Sequence, residues 1–235
     1  MPFRLGRRFL IFALATLALL VVPSAAIPAR QIVIFGTQAG THLVVTTKHG
    51  KLQIHGRMGR ARPIGCHISR NRMNATCSMK HVAGLEIDTG HNGDFVHIVD
   101  PLPFPVIAHL GAGSDKYIGN SERDTCYSEG ARRNRCIGKG NNDVCITGRK
   151  NSDCVGGPGN DYCKTSAGSD GCWGGPGDDI CYMGPGMDGC HGGPGDDILY
   201  GGANPDQLYG GAGYDYCDGG PGRGRSHACN VGPRK

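Results

Sequence analysis

Acidic residues recur along the second half of this chain at a fixed interval. Asp161, Asp170, Asp179, Asp188, Asp197, Asp206 and Asp215 lie nine residues apart without a slip, and Asp143 falls in the same register upstream. An aspartate supplies oxygen ligands only. Carboxylates brought into a row by folding repel one another unless a cation sits between them. Carboxylate and backbone carbonyl oxygens at six or more points suit Ca²⁺, whose shell is flexible and built from oxygen. A second series runs beside the first. Cys126, Cys136, Cys145, Cys154, Cys163, Cys172, Cys181 and Cys190 hold the eighth place of successive blocks, and the register continues through Leu199 and Leu208 to Cys217.

The element that must position both series is a nine-residue block. It is cleanest in GGPGNDYCK (156–164), GGPGDDICY (174–182) and GGPGDDILY (192–200). Looser copies fill 165–173, 183–191, 201–209 and 210–218, and eroded ones reach back through Asp124 and Asp115 to Asp94. One residue is inserted near Arg132-Arg133, Asn134 and Ser152 stand where the acid belongs, and Asn204 replaces a glycine of its block. Glycine permits positive φ and close backbone approach, so the first six residues of a block read as a tight turn. The last three read as a short strand whose eighth residue points inward. Two blocks then close one turn of a flattened right-handed coil, so that residues 18 apart stack in one parallel sheet. The expected sites pair Asp161 with Asp179, Asp170 with Asp188, Asp179 with Asp197, Asp188 with Asp206 and Asp197 with Asp215, with Asp143 and Asp161 as a further pair.

The blocks resemble the glycine-rich nonapeptide repeats of hemolysin-type (RTX) calcium-binding proteins, a Ca²⁺-binding solenoid repeat. The upstream arrangement of Cys66, Cys77 and Asp94 before the first eroded repeat is similar to small exported calcium-binding proteins of actinobacteria. The resemblance covers residues 110–218 and implies calcium binding in a parallel β-roll. The fold class expected is all-β, a right-handed parallel β-roll (β-solenoid) with a disulfide-rich interior and an N-terminal β-rich cap.

Twelve cysteines in an exported chain point to disulfides. Zinc would want close pairs such as C-x-x-C, and none occurs; burial of cysteine as a small hydrophobe is the plainer alternative. Two pairings compete within the ladder. Cross-core bridges would join 126–136, 145–154, 163–172 and 181–190, and same-sheet bridges would join residues two blocks apart, such as Cys145 and Cys163. The cross-core set is favoured because it ties the two sheets together. Cys66–Cys77 and Cys217–Cys229 are the natural remaining pairs.

The rest of the chain sets the context. Arg4, Arg7 and Arg8 precede an apolar run from Phe9 to Val22 and the small residues Ser24 and Ala26. This pattern reads as a secretory signal peptide over 1–26. The run is short of the roughly 20 residues a spanning helix needs, so no stable membrane insertion is expected after cleavage. Residues 27–109 read as an N-terminal β-rich capping segment, with strands at Ile32–Phe35, Leu43–Thr47, Leu52–His55, Leu85–Asp88 and Phe95–Val99 and a basic loop over 56–81. Residues 110–218 form the repeat region and 219–235 a C-terminal cap or tail.

Composition narrows the function. With 41 Gly, 14 Pro and one Trp in 235 residues, a helical bundle is excluded. The formal charge of +5 is uneven, with 16 Asp and Glu against 9 Lys and Arg over residues 110–218, so no nucleic acid is expected on the repeated surface. No H-E-x-x-H, G-x-S-x-G or similar catalytic signature is present, and the expectation is not an enzyme. The function expected is a secreted, extracellular or cell-surface, non-enzymatic calcium-binding β-roll holding several Ca²⁺ between stacked turns. The alternative is an adhesion or structural module for a protein or glycan partner, with Ca²⁺ only structural and the outward Tyr162, Tyr182, Tyr200, Tyr209 and Tyr216 as its surface.

Overall fold

The computed structural model describes residues 30–37, 40–59, 66–130, 132–222 and 224–230. The expected signal peptide and the last five residues lie outside them. Among the described residues there are twenty-one strands and no helix, wound into a parallel β-solenoid of about eight turns. The first strands are β1 (Arg30–Phe35), β2 (His42–Lys48), β3 (Lys51–Gly56), β4 (Cys66–Ile68), β5 (Asn74–Ser78), β6 (Val82–Asp88), β7 (Phe95–Ile98) and β8 (Val106–His109). From there three- to six-residue strands alternate between two sheets.

One sheet has nine strands in the order β1-β6-β8, followed by the strands that begin at Asp124, Val144, Tyr162, Ile180, Ile198 and Tyr216. The other has twelve. It runs β4-β5-β3-β2-β7, and then through the strands that begin at Lys116, Arg135, Asp153, Gly171, Gly189, Gln207 and Arg225. The register is the one the nine-residue block dictates. Cys145 pairs with Cys163 and Cys163 with Cys181 in the first sheet, and Cys154 with Cys172 and Cys172 with Cys190 in the second. The strands Tyr162–Lys164, Gly171–Trp173 and Ile180–Tyr182 each bury the middle residue and turn its neighbours outward, as the pleat requires.

The parallel coil starts further upstream than the clean repeats. β1 pairs in parallel with β6, and β2 with β7. Among the described residues only β3, β5 and β4 pair antiparallel, as an extension beside β2 at the N-terminal end of the twelve-stranded sheet. The basic loop expected over 56–81 is therefore corrected at 66–68 and 74–78, which are strands. Ala75 and Cys77 alternate with outward residues and are buried, and this half-buried pattern wins over the surrounding charge. Cys66 and Cys77 sit directly opposite one another in the hairpin and are bridged.

The core changes character along the axis. The first turns are aliphatic, with Ile32, Ile34, Leu43, Val45, Leu85, Ile87, Val96 and Ile98 all buried. From Cys126 to Cys190 the interior is sulfur. On the outside, the expected tyrosines face outward in two columns of rings. Tyr182 stacks on Tyr200 at 4.7 Å, and His191 on Tyr209 at 4.6 Å between Trp173 and His227.

The turns need their glycines for different reasons. In the 192–200 block, Gly193 and Gly195 have φ of 130° and 140°, a region that L side chains rarely adopt. A β carbon on Gly193 would also strike the Gly175 carbonyl of the preceding turn. Asn204 holds φ 85° where its block lacks glycine, a conformation asparagine tolerates better than most residues. Gly193→Ala is expected to lower the unfolding midpoint, with backbone strain of about 1–3 kcal/mol before the collision is counted. Gly189 has no positive φ and nothing within 4 Å of an added β carbon; Gly189→Ala should stay within about 0.5 kcal/mol of the parent. Scanning calorimetry on both variants checks this, and equal midpoints would refute it.

Candidate metal centre

Each block's sixth residue sits at the corner where the glycine turn enters the strand, so stacking the turns draws these residues into two seams. One seam holds Asp124, Asp143, Asp161, Asp179, Asp197 and Asp215. The other holds Asp94, Asp115, Asn134, Ser152, Asp170, Asp188 and Asp206. All are buried, with Asp215 and Asn134 at 0% exposure and no member above 5%.

The stacked acids touch through the backbone. The N–H of Asp161 donates to Asp179 Oδ1 at 2.7 Å, Asp179 N–H to Asp197 Oδ1 at 2.8 Å, and Asp197 N–H to Asp215 Oδ1 at 3.0 Å. Asp143 N–H donates to Asp161 Oδ1 at 2.7 Å in the same way. In the other seam Asp170 N–H reaches Asp188 Oδ1 at 2.8 Å and Asp188 N–H reaches Asp206 Oδ1 at 3.0 Å. All six expected pairings are thus neighbours. What joins them is an amide hydrogen bond to one carboxylate oxygen, which leaves the second oxygen for another partner.

That second oxygen has none in the protein. Oδ2 of Asp143, Asp161, Asp170, Asp179, Asp188, Asp197, Asp206 and Asp215 is buried without a hydrogen bond, as is Oδ2 of Asp94. Leaving a buried charged group uncompensated costs several kcal/mol. On the first seam Oδ2 lies against the first glycine of its own block. A β carbon on Gly156 would collide with Asp161 Oδ2 and lie 2.7 Å from the Gly174 carbonyl oxygen of the next turn. Gly174 meets Asp179 Oδ2 and Gly192 O, and Gly192 meets Asp197 Oδ2 and Gly210 O, in the same manner. Each of these three turns therefore gathers an unpaired carboxylate oxygen and a carbonyl oxygen on the same side of a residue with no side chain. This all-oxygen donor set fits a hard divalent cation, and Ca²⁺ above others.

Two upstream acids differ. Asp124 Oδ2 accepts the Asn120 N–H at 2.8 Å, and Asp115 Oδ2 accepts the Ser128 hydroxyl at 3.1 Å. The protein itself satisfies them. Asp94 keeps a free Oδ2 and joins the eight expected residues; the only trace in the sequence is an eroded block with two slips of register behind it. The inserted residue near Arg132 does not break either seam, because Asp115 N–H still reaches Asn134 Oδ1 and Asp124 N–H still reaches Asp143 Oδ1 across 19 residues. Asp153, displaced by one place, leaves the seam and pairs with Arg133 at the surface.

The family model for the RTX calcium-binding nonapeptide repeat (four copies) matches residues 155–181 and 191–225. These segments are RTX repeats. They contain Asp161, Asp170, Asp179, Asp197, Asp206 and Asp215, whereas Asp188 falls between the two matches and Asp143 upstream of them. No curated protein and no solved structure matches the chain.

The cysteines behind the two seams are all buried from Cys126 to Cys190. Bridges join Cys126–Cys136, Cys172–Cys181 and Cys217–Cys229, and Cys145, Cys154, Cys163 and Cys190 are thiols. This corrects the expected 145–154, 163–172 and 181–190 set at three places. The reason is geometric. Every inward cysteine faces a cross-core neighbour in each direction along the chain, and both half-turns bring Cα atoms within bridging range, at 6.2 Å for Cys126–Cys136 and 6.8 Å for Cys172–Cys181.

Burial raises five of the seam carboxylates, with the amide hydrogen bonds opposing it: Asp143 to about 8, Asp179 and Asp188 to about 7, Asp161 and Asp197 to about 6. A raised folded-state pKa means that the fold holds protons the unfolded chain has released. For these groups the stability of the calcium-free protein is therefore greatest below pH 3.8 and is lost as the pH rises to about 8. Urea unfolding in chelator between pH 4 and 8.5 should show that decline. Added Ca²⁺ should restore stability most at the alkaline end, where it meets no competing protons. A calcium effect that grows as the pH falls would contradict this.

Proposed function

We propose that the chain is an exported, non-enzymatic calcium-binding protein in which Asp143, Asp161, Asp170, Asp179, Asp188, Asp197, Asp206 and Asp215 hold several Ca²⁺ between stacked turns. The observation that carries this reading is the row of buried, unpartnered Oδ2 atoms beside carbonyl oxygens, repeated turn after turn. The RTX repeats matched over six of these eight residues support it. Calcium would neutralise the seams and so link ion binding to the order of the turns. Residues 27–109 and 219–235 would then close the two ends of the coil over 110–218, and the disulfides suit an oxidising compartment.

Isothermal calorimetry on chelator-treated protein should detect several Ca²⁺ per chain. Asp179→Asn keeps an oxygen for the Asp161 amide but replaces Oδ2 with a donor. Because ligand charge tunes calcium affinity, this change should weaken binding about tenfold or more at the affected turns. Asp153→Asn at the surface should leave the titration unchanged. Absence of heat with calcium, or equal effects from both variants, would refute the assignment. Export has its own readout: the N-terminal residue of protein recovered outside the cell should be Ile27.

A further inference from the structure

The cysteine ladder is incomplete in a way that its own geometry can repair. Cys126–Cys136 joins a strand of the nine-stranded sheet to the next strand along the chain, in the twelve-stranded sheet. Cys172–Cys181 joins strands in the opposite sense, from the twelve-stranded sheet onward to the nine-stranded one. With that bridge in place Cys190 has no free thiol as a strand neighbour, since it lies between Cys172, already bridged, and Leu208. Three thiols, Cys145, Cys154 and Cys163, are left on the other side, and three cannot pair off. If all cross-core bridges take the sense of Cys126–Cys136, one arrangement pairs every sulfur: 145–154, 163–172 and 181–190.

Cys163 connects the two arrangements. Its sulfur lies within 4.8 Å of those of Cys145 and Cys154, and equally within 4.8 Å of those of the Cys172–Cys181 bridge. We propose that Cys163 is an exchange nucleophile that moves the Cys172–Cys181 bridge one step along the core and so allows the ladder to close completely. Cys163 Sγ, as the thiolate, attacks Cys172 Sγ; the 163–172 bond forms, the 172–181 bond breaks, and Cys181 leaves as a thiolate and takes up the proton that Cys163 lost. No net oxidation occurs. The freed Cys181 now faces Cys190. A disulfide oxidant of the oxidised-glutathione class then takes two electrons and two protons from Cys181 and Cys190, and two more of each from Cys145 and Cys154, and is itself reduced to thiols.

A soft metal on Cys145, Cys154 and Cys163 is the competing use of the same sulfurs. Three thiolates around Cu⁺ would leave two negative charges buried beside Asp143 and Asp161, whose carboxyls already feel Cys145. Zinc would lack its fourth ligand. Charge favours the bridges.

The test uses the purified full chain. Thiols are counted with Ellman's reagent after unfolding in guanidinium, and bridges are mapped by non-reducing digestion after alkylation, before and after incubation with oxidised glutathione. The count should fall from four to zero, and the map should then show 145–154, 163–172 and 181–190. In Cys163→Ser the Cys172–Cys181 bridge should persist and Cys190 should remain alkylatable, leaving one thiol. In Cys190→Ser, a second variant should the first not fold, one thiol should remain, shared between Cys163 and Cys181. Retention of Cys172–Cys181 with a free Cys190 in the oxidised parent would overturn the proposal. So would a 181–190 bridge in Cys163→Ser, or metal recovered with the three thiols. Each readout is independent of calcium, so it separates from the metal assignment.

Discussion

A carboxylate removed from water, with one oxygen held by the amide of the neighbouring turn, is the interaction on which this coil is built. It favours the nine-residue block, which returns an aspartate to the same corner, although the coil absorbs the residue inserted near Arg132. On the seam of Asp161, Asp179 and Asp197 it fixes the first glycine of the block, because Oδ2 occupies the space a side chain would need. It also leaves an unbalanced charge along the repeats from Asp143 onward, where the amide satisfies one oxygen of the carboxyl group and the other is buried without a partner. A chain that repeats this unit builds its own cation sites by winding.

Behind the seams the two sheets are held together in different ways along the axis. In the first turns Ile, Leu and Val fill the interior and keep the sheets apart by their bulk. Further on, a single sulfur per strand fills it, and the bridged Cα atoms approach to 6.2 and 6.8 Å, well inside the roughly 10 Å usual between packed sheets. A core one residue thick contributes little burial, so covalent links take over the work that hydrophobic contact does elsewhere.

Much of this was legible in the sequence. The nine-residue interval gave the coil, the two alternating sheets, the inward cysteines and the stacking partners of each aspartate, since all follow from one period. What stayed hidden depends on contacts the period does not encode. The Oδ1-to-amide bond that separates Asp161 from Asp179 is a rotamer choice made possible by the bare Gly156 and Gly174. The hairpin of β4 and β5 was masked by basic residues around a five-residue alternation. The bridge pattern was undetermined because a ladder with equal rungs has two senses of pairing, and nothing local at Cys172 distinguishes Cys163 from Cys181. Asp94 was obscured by two insertions between it and the regular blocks.

Leu199 and Leu208 interrupt the sulfur column between Cys190 and Cys217. They work as a firebreak. Whatever reshuffling runs through the interior stops at two inert side chains, and the clasp between Cys217 and Cys229 is insulated from it. The last turn can therefore stay fastened while the middle of the coil is still settling its connections.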